Sequence, residues 1–135
     1  MILDLDEKLV EKTANYVQSF FPYYYGSIAA TLLEKNPFKY RTKVIYNDEI
    51  KGVLSYDLKS FNNGKSNRAK IRLLAGDDES IEKLISPLKN SDLIFIKVPS
   101  NFINYIENLK KIGFREYEKI YSKDLGEEMI VLSIP

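Results

Sequence analysis

The 135-residue sequence contains no cysteine, no histidine and no tryptophan. Without cysteine there is no disulfide, no thiolate nucleophile and no cysteine-based zinc site. Without histidine there is no Ser-His-Asp triad and no imidazole acid–base group. Any catalysis must use carboxylates, tyrosine, lysine, hydroxyls or backbone dipoles. Charge of one sign is also missing in excess: 20 Lys and Arg face 19 Asp and Glu, a net +1. A dedicated nucleic-acid binder usually shows a strong basic excess, so nucleic acid is not an expected partner. The longest uncharged apolar stretch, residues 28–33, is far short of the ~20 residues of a membrane helix, and no membrane contact is expected. The first residues, Met-Ile-Leu-Asp-Leu-Asp-Glu, carry early acids and no basic cluster, unlike a secretory signal. The cytoplasm is the expected location. No repeat or Pro/Gly-rich linker divides the chain, so one domain over residues 1–135 is expected. Such a chain removes roughly two-thirds of its unfolded surface from water.

Aromatics are abundant: ten Tyr and seven Phe. Five of them crowd into Phe20-Phe21-Pro22-Tyr23-Tyr24-Tyr25, too densely for one face of a regular element. Three consecutive tyrosines cannot all face a core, and tyrosine suits a ligand wall or an interface.

The periodicity predicts mixed secondary structure. Leu9, Val10, Thr13, Ala14, Val17 and Phe20 lie on one helix face over residues 6–20, with Asp4 and Glu7 spaced as a capping box. Pro22 ends that helix, and Ser27 caps a short one over residues 28–35. Alternation predicts strands over residues 38–46 and 50–58, joined by Asn47-Asp48-Glu49 as a hairpin. Asn62-Asn63-Gly64 marks a loop within residues 59–69. A strand over 70–75, a helix over 77–88 capped by Asp77 or Asp78, and a buried strand over 93–98 follow. Ser100 or Asn101 caps a helix with Phe102, Ile103, Ile106, Leu109 and Ile112 inward, ended by Gly113. Residues 114–125 and 127–134 form the last antiparallel pair. The fold class is therefore α+β: a mixed, mostly antiparallel sheet with one right-handed parallel βα crossover.

Charge is balanced overall but segregated locally. Residues 59–75 carry Lys59, Lys65, Arg68, Lys70 and Arg72 with no acid, whereas Asp77, Asp78, Glu79 and Glu82 follow at once. The basic stretch reads as phosphate or nucleic-acid contact, which the net charge disfavours, or as a solvated loop. The acids match no calcium-loop spacing, and capping explains the leading ones, so no metal is expected. Glu34, Asp48, Asp57 and Asp92 are open as general bases.

The element order resembles the GCN5-related N-acetyltransferase (GNAT) fold. Asn47-Asp48-Glu49-Ile50-Lys51-Gly52-Val53-Leu54 resembles that family's hairpin, and Asn108-Leu109-Lys110-Lys111-Ile112-Gly113-Phe114 its late helix ending in Leu-Gly-Phe. The resemblance implies a divergent N-acyltransferase that moves an acetyl group from acetyl-CoA to an amine on a small molecule or protein. It implies cofactor contacts at Leu74, Ala75, Gly76, Val98, Ser100 and Asn101. It also implies an acceptor wall at Tyr23, Tyr24 and Tyr25 and a proton donor at Tyr105. Two departures stand out. The family's Gly-rich pyrophosphate loop is replaced here by Gly76 followed by acids, and the family's tyrosine falls at Leu109. They favour a second reading, a catalytically silent GNAT-like module that binds a ligand or protein and associates through aromatics as a homodimer.

Overall fold

The computed structural model describes residues 1–61 and 63–135; Asn62, the start of the expected Asn-Asn-Gly loop, and the side chain of Tyr23 lie outside the described residues. The chain runs β1 (Ile2–Asp4), a 3-10 turn (Glu7–Leu9), α1 (Val10–Phe20), α2 (Tyr23–Lys35), β2 (Arg41–Asn47), β3 (Glu49–Phe61) and β4 (Ser66–Gly76). It continues through α3 (Asp78–Ile85), a second 3-10 turn (Ser86–Asn90), β5 (Leu93–Pro99), α4 (Ile103–Ile112), β6 (Arg115–Ser122) and β7 (Glu127–Ile134). From α1 onward this is the predicted order of helices and strands. The seven strands hydrogen-bond in the sequence β1-β2-β3-β4-β5-β7-β6. The sheet is mostly antiparallel. Its parallel pair is β4 with β5, in register from Arg68↔Leu93 to Ile71↔Ile96.

Two compact units divide the chain, with β3 and β4 passing through both. The first comprises Met1–Asp57 and Leu73–Ser86. Here α1 and α2 pack closely because residue 26 is glycine: a Cβ there would lie 2.8 Å from the Gln18 carbonyl oxygen and 3.0 Å from that of Phe21. An eight-residue helix such as α3 is too short to persist by itself. Burial of Ile81, Leu84 and Ile85, each at most 3% exposed, holds it in place. Each such side chain contributes about 1.5–3 kcal/mol.

Several boundaries differ from expectation. Asp6, not Asp4, caps the first helical segment by accepting the Leu9 N–H at 3.2 Å. Asp4 belongs to β1 and pairs with Lys43. The second helix begins at Tyr23 instead of after Ser27, since Pro22 is extended (φ −69°, ψ 137°) and acts as the N-cap. Proline lacks the N–H that a helix start leaves unpaired, so it ends one helix and opens the next. Phe38 and Tyr40 precede β2, and β3 runs to Phe61 while β4 begins at Ser66, so both strands enter the 59–69 stretch around the expected loop.

The second unit comprises Leu58–Arg72 and Pro87–Pro135. Its core contains Ala69, Ile71, Ile94, Ile96, Val98, Ile106, Leu109 and Leu132. Phe102 takes the N-cap position of α4 without a side-chain cap bond, so neither Ser100 nor Asn101 caps it. Ile103 is 68% exposed rather than inward. Gly113 ends α4 as expected, donating to the carbonyls of Leu109 and Lys110.

Candidate functional site

In the first unit, β4 ends with Leu74, Ala75 and Gly76 buried and leads directly into α3. Gly76 has φ +146°, and a Cβ on it would sit 3.1 Å from Ser80 Cβ, 3.2 Å from the Lys51 carbonyl oxygen and 3.3 Å from Gly52 Cα. Glycine is therefore required twice over, by backbone conformation and by space. It brings the start of α3 against β3.

Asp77 is the helix cap: its carboxylate accepts the Ser80 N–H at 2.8 Å. Those hydrogen bonds from Ser80, and then Lys83 and Lys51, hold its pKa below the ordinary carboxylate value. The Tyr16 hydroxyl donates to the Lys51 carbonyl at 3.1 Å, and burial, then the charge of Asp77, raises the Tyr16 pKa. Asp78 and Glu79 follow, exposed, with Glu79 paired to Lys83 at 3.1 Å. A helix start ordinarily offers amides and a positive dipole to an anion. Here a carboxylate already takes that role and two more stand beside it. These residues do not fit a diphosphate.

In the second unit, Val98 is buried and Ser100 half-buried at the end of β5, and Asn101 is exposed in the turn beyond. The Ser100 N–H donates to the Glu128 carbonyl at 3.0 Å, and that of Phe102 to Pro99 at 3.1 Å. Tyr105 is half-buried in the first turn of α4, its ring edge-on to Phe102 with centroids 6.4 Å apart. Leu109 lies one turn further on the same helix face and is 0% exposed. The position that carries a tyrosine in the resembling family is thus core in this chain.

The aromatic cluster splits by helix geometry. Phe21 is 4% exposed and meets Tyr25 and Phe20 edge-on, with centroids 4.8 and 4.9 Å apart. Tyr24 points elsewhere and is 69% exposed. Only part of the tyrosine triplet can therefore form one wall.

Of the carboxylates read as bases, Asp92 is structural: it accepts the Asn67 N–H at 2.7 Å and its own N–H donates to the Asn67 carbonyl. Glu34 and Asp48 are exposed, and Asp48 forms the hairpin turn with φ 62°. Among the described residues no group of acids could hold a metal ion. Among the described residues no helix is long and apolar enough to cross a membrane. A cavity of about 290 Å³ not foreseen from the sequence lies in the first unit, lined by Arg41, Lys43, Tyr56, Pro37, Phe38 and Asp4 among others. Its signal was the alternation of Arg41 and Lys43, whose partners Tyr56 and Asp4 are distant in sequence.

No protein-family model and no curated protein matches the chain. Solved structures do. Naa50 of Arabidopsis thaliana in complex with a bisubstrate analogue, CoA-Ac-MVNAL, matches with TM-score 0.70 and 19% identity over 100% of this chain and 97% of that one. A chain of the NatC complex bound to Gag peptide and CoA matches with TM-score 0.69 and 14% identity, covering 100% and 97%. The ribosomal-protein-S18-alanine N-acetyltransferase from Escherichia coli matches with TM-score 0.68 and 16% identity, covering 100% and 92%. With the mixed seven-stranded sheet, its parallel β4–β5 pair and α3 between them, these likenesses show that the chain has the GNAT fold, in a divergent form without the Gly-rich pyrophosphate loop.

Proposed function

We propose that the chain is a divergent N-acyltransferase that moves an acetyl group from acetyl-CoA to an amine. The observation that carries this reading is the fold: its full length matches proteins described as N-acetyltransferases, some solved with CoA or a bisubstrate analogue. In the first unit the reading assigns backbone contacts with the donor to Leu74, Ala75 and Gly76, and the acceptor side to Tyr23, Tyr24 and Tyr25. In the second it assigns donor contacts to Val98, Ser100 and Asn101, and proton donation to Tyr105. A phenol half-withdrawn from water, as Tyr105 is, suits that role better than an exposed one. The acceptor is an amine on a small molecule or a protein. Residues 1–135 are taken as one domain acting in the cytoplasm.

The second reading is a catalytically silent module of the same fold, binding a ligand or protein and pairing as a homodimer. Two observations favour it: the acidic start of α3 and the core position of Leu109. Thermal unfolding with CoA and acetyl-CoA separates the two. Ligand present at 100 times its Kd adds about 2.7 kcal/mol to stability, which raises the midpoint by several degrees. The acyltransferase reading expects that rise, and no change at millimolar ligand leaves the silent module.

A further inference from the structure

The basic stretch of the sequence folds into one face of the second unit. Side chains on a strand alternate between faces, and paired residues in register share a face. On β4, Ala69 and Ile71 point into the core at 0% and 3% exposure, so Arg68, Lys70 and Arg72 share the opposite face. The parallel register places Leu93 beside Arg68 and Phe95 beside Lys70, and Lys97 continues that row on β5. On β3, Phe61 joins the same face, because the Arg68 guanidinium lies over its ring at 4.3 Å; Lys59, two residues earlier, follows it. The Ser60–Asn67 hydrogen bond of 2.9 Å fixes the same alignment from the other side of the hairpin.

Three neighbouring strands thus present Lys59, Arg68, Lys70, Arg72 and Lys97 on one surface, interleaved with Phe61 and Phe95. Among the described residues, the acids that alternation puts on this face are Asp57 at its margin, and Glu127 on β7 and Glu118 on β6, beyond the cationic rows. Lys59, Arg68, Arg72 and Lys97 are exposed, and Lys70 and Phe95 are half-buried. β4 is an interior strand, and its cations lie on the side opposite the buried Ala69 and Ile71. The balanced net charge hides this segregation.

We propose that this sheet face binds a single-stranded nucleic acid. Cations spaced about 6.6–6.8 Å apart along a strand, at every second residue, suit a phosphate chain. Aromatic rings between them suit stacked bases, a combination that sheet-based single-strand binders use. An acidic polypeptide satisfies the cations, but it does not by itself bring a flat ring with every charge, as each nucleotide does. The proposal is independent of acetyl transfer.

The test is fluorescence anisotropy of the whole chain with labelled oligouridine and oligodeoxythymidine of about 20 nucleotides, longer than typical single-strand sites. With four or five phosphates contacted at about −0.7 each, affinity should fall roughly 50- to 130-fold between about 50 and about 200 mM salt. The double variant Arg68→Gln with Arg72→Gln should flatten the log–log salt slope by about 1.4. Phe61→Leu should weaken binding without changing that slope. Lys111→Glu, on α4, should bind as the parent does, and circular dichroism should show all variants folded. Absence of binding at low salt overturns the proposal. So does an unchanged slope in the double variant, or displacement by polyglutamate as efficient as by unlabelled oligonucleotide at equal charge.

Discussion

Asp77 is the residue whose replacement most cleanly separates capping from charge. Its carboxylate accepts the Ser80 N–H at 2.8 Å and leads an eight-residue helix held by three buried side chains. Asp77→Ala removes the acceptor and leaves the Ser80 N–H without it, which should cost about 1 kcal/mol, within the 0.5–2 kcal/mol range for lost caps. In a chain this size that lowers the melting midpoint by about 2–5 °C. Asp77→Asn keeps an acceptor oxygen at the cap and loses only the charge–dipole attraction, about 0.3–1 kcal/mol and at the lower end because the group is exposed. The pH dependence adds a second signature. The folded pKa of Asp77 is depressed, so its contribution is present above the ordinary carboxylate pKa near 4 and is lost as pH falls through the folded value. Urea melts at neutral and acid pH should therefore show the parent and Asp77→Asn converging as pH falls. An Asn variant as unstable as the Ala variant at neutral pH would refute the capping argument. An Ala variant as stable as the parent would refute it equally.

Gly76→Ala should destabilise by about 2–4 kcal/mol in urea melts, adding backbone strain to the contacts at 3.1–3.3 Å, whereas Gly64→Ala, with φ +84° and open space, should cost about 1–2 kcal/mol. Tyr16 should ionise above the usual tyrosine range, followed by NMR titration of its ring, and Asp77→Asn should bring the midpoint partway back, since burial persists. Because that folded pKa is raised, the stability it contributes is intact below about pH 10 and is lost as pH climbs through the folded value. If acetyl transfer is confirmed, Tyr105→Phe should lower kcat roughly 100-fold or more with the fold intact, and an unchanged kcat removes Tyr105 as proton donor.

The order of elements is legible in the sequence because the hydrophobic period switches cleanly between helix and strand, as at residues 70–88. Ends are harder. Pro22 reads as a stop, yet its extended backbone also opens α2, so three tyrosines that look like loop become the helix's first turn. The loop signal spread over residues 59–69, yet β3 runs to Phe61 and β4 begins at Ser66, because strand pairing reaches further than local composition shows. Ile103 fits the apolar period of α4 but falls in its first turn, before the helix reaches the core. At the candidate site, the acidic replacement after Gly76 is visible in sequence, and so is Leu109 in place of a tyrosine. The close approach of Gly76 to Lys51 and Gly52 is not, because it depends on strands from distant parts of the chain. Four of the cations on this face were visible as part of a run, whereas Lys97 joins them only through strand register.

Calorimetric titration of the intact chain with acetyl-CoA, beside the variant Asp78→Asn with Glu79→Gln, tests the acyltransferase reading most directly. Each carboxylate removed at about 5 Å from a phosphate relieves about 0.8 kcal/mol of repulsion at the dielectric of water, or roughly fourfold in affinity. The predicted result is one-to-one binding that tightens by about an order of magnitude in the double variant. Absence of binding at millimolar acetyl-CoA in both proteins would contradict it.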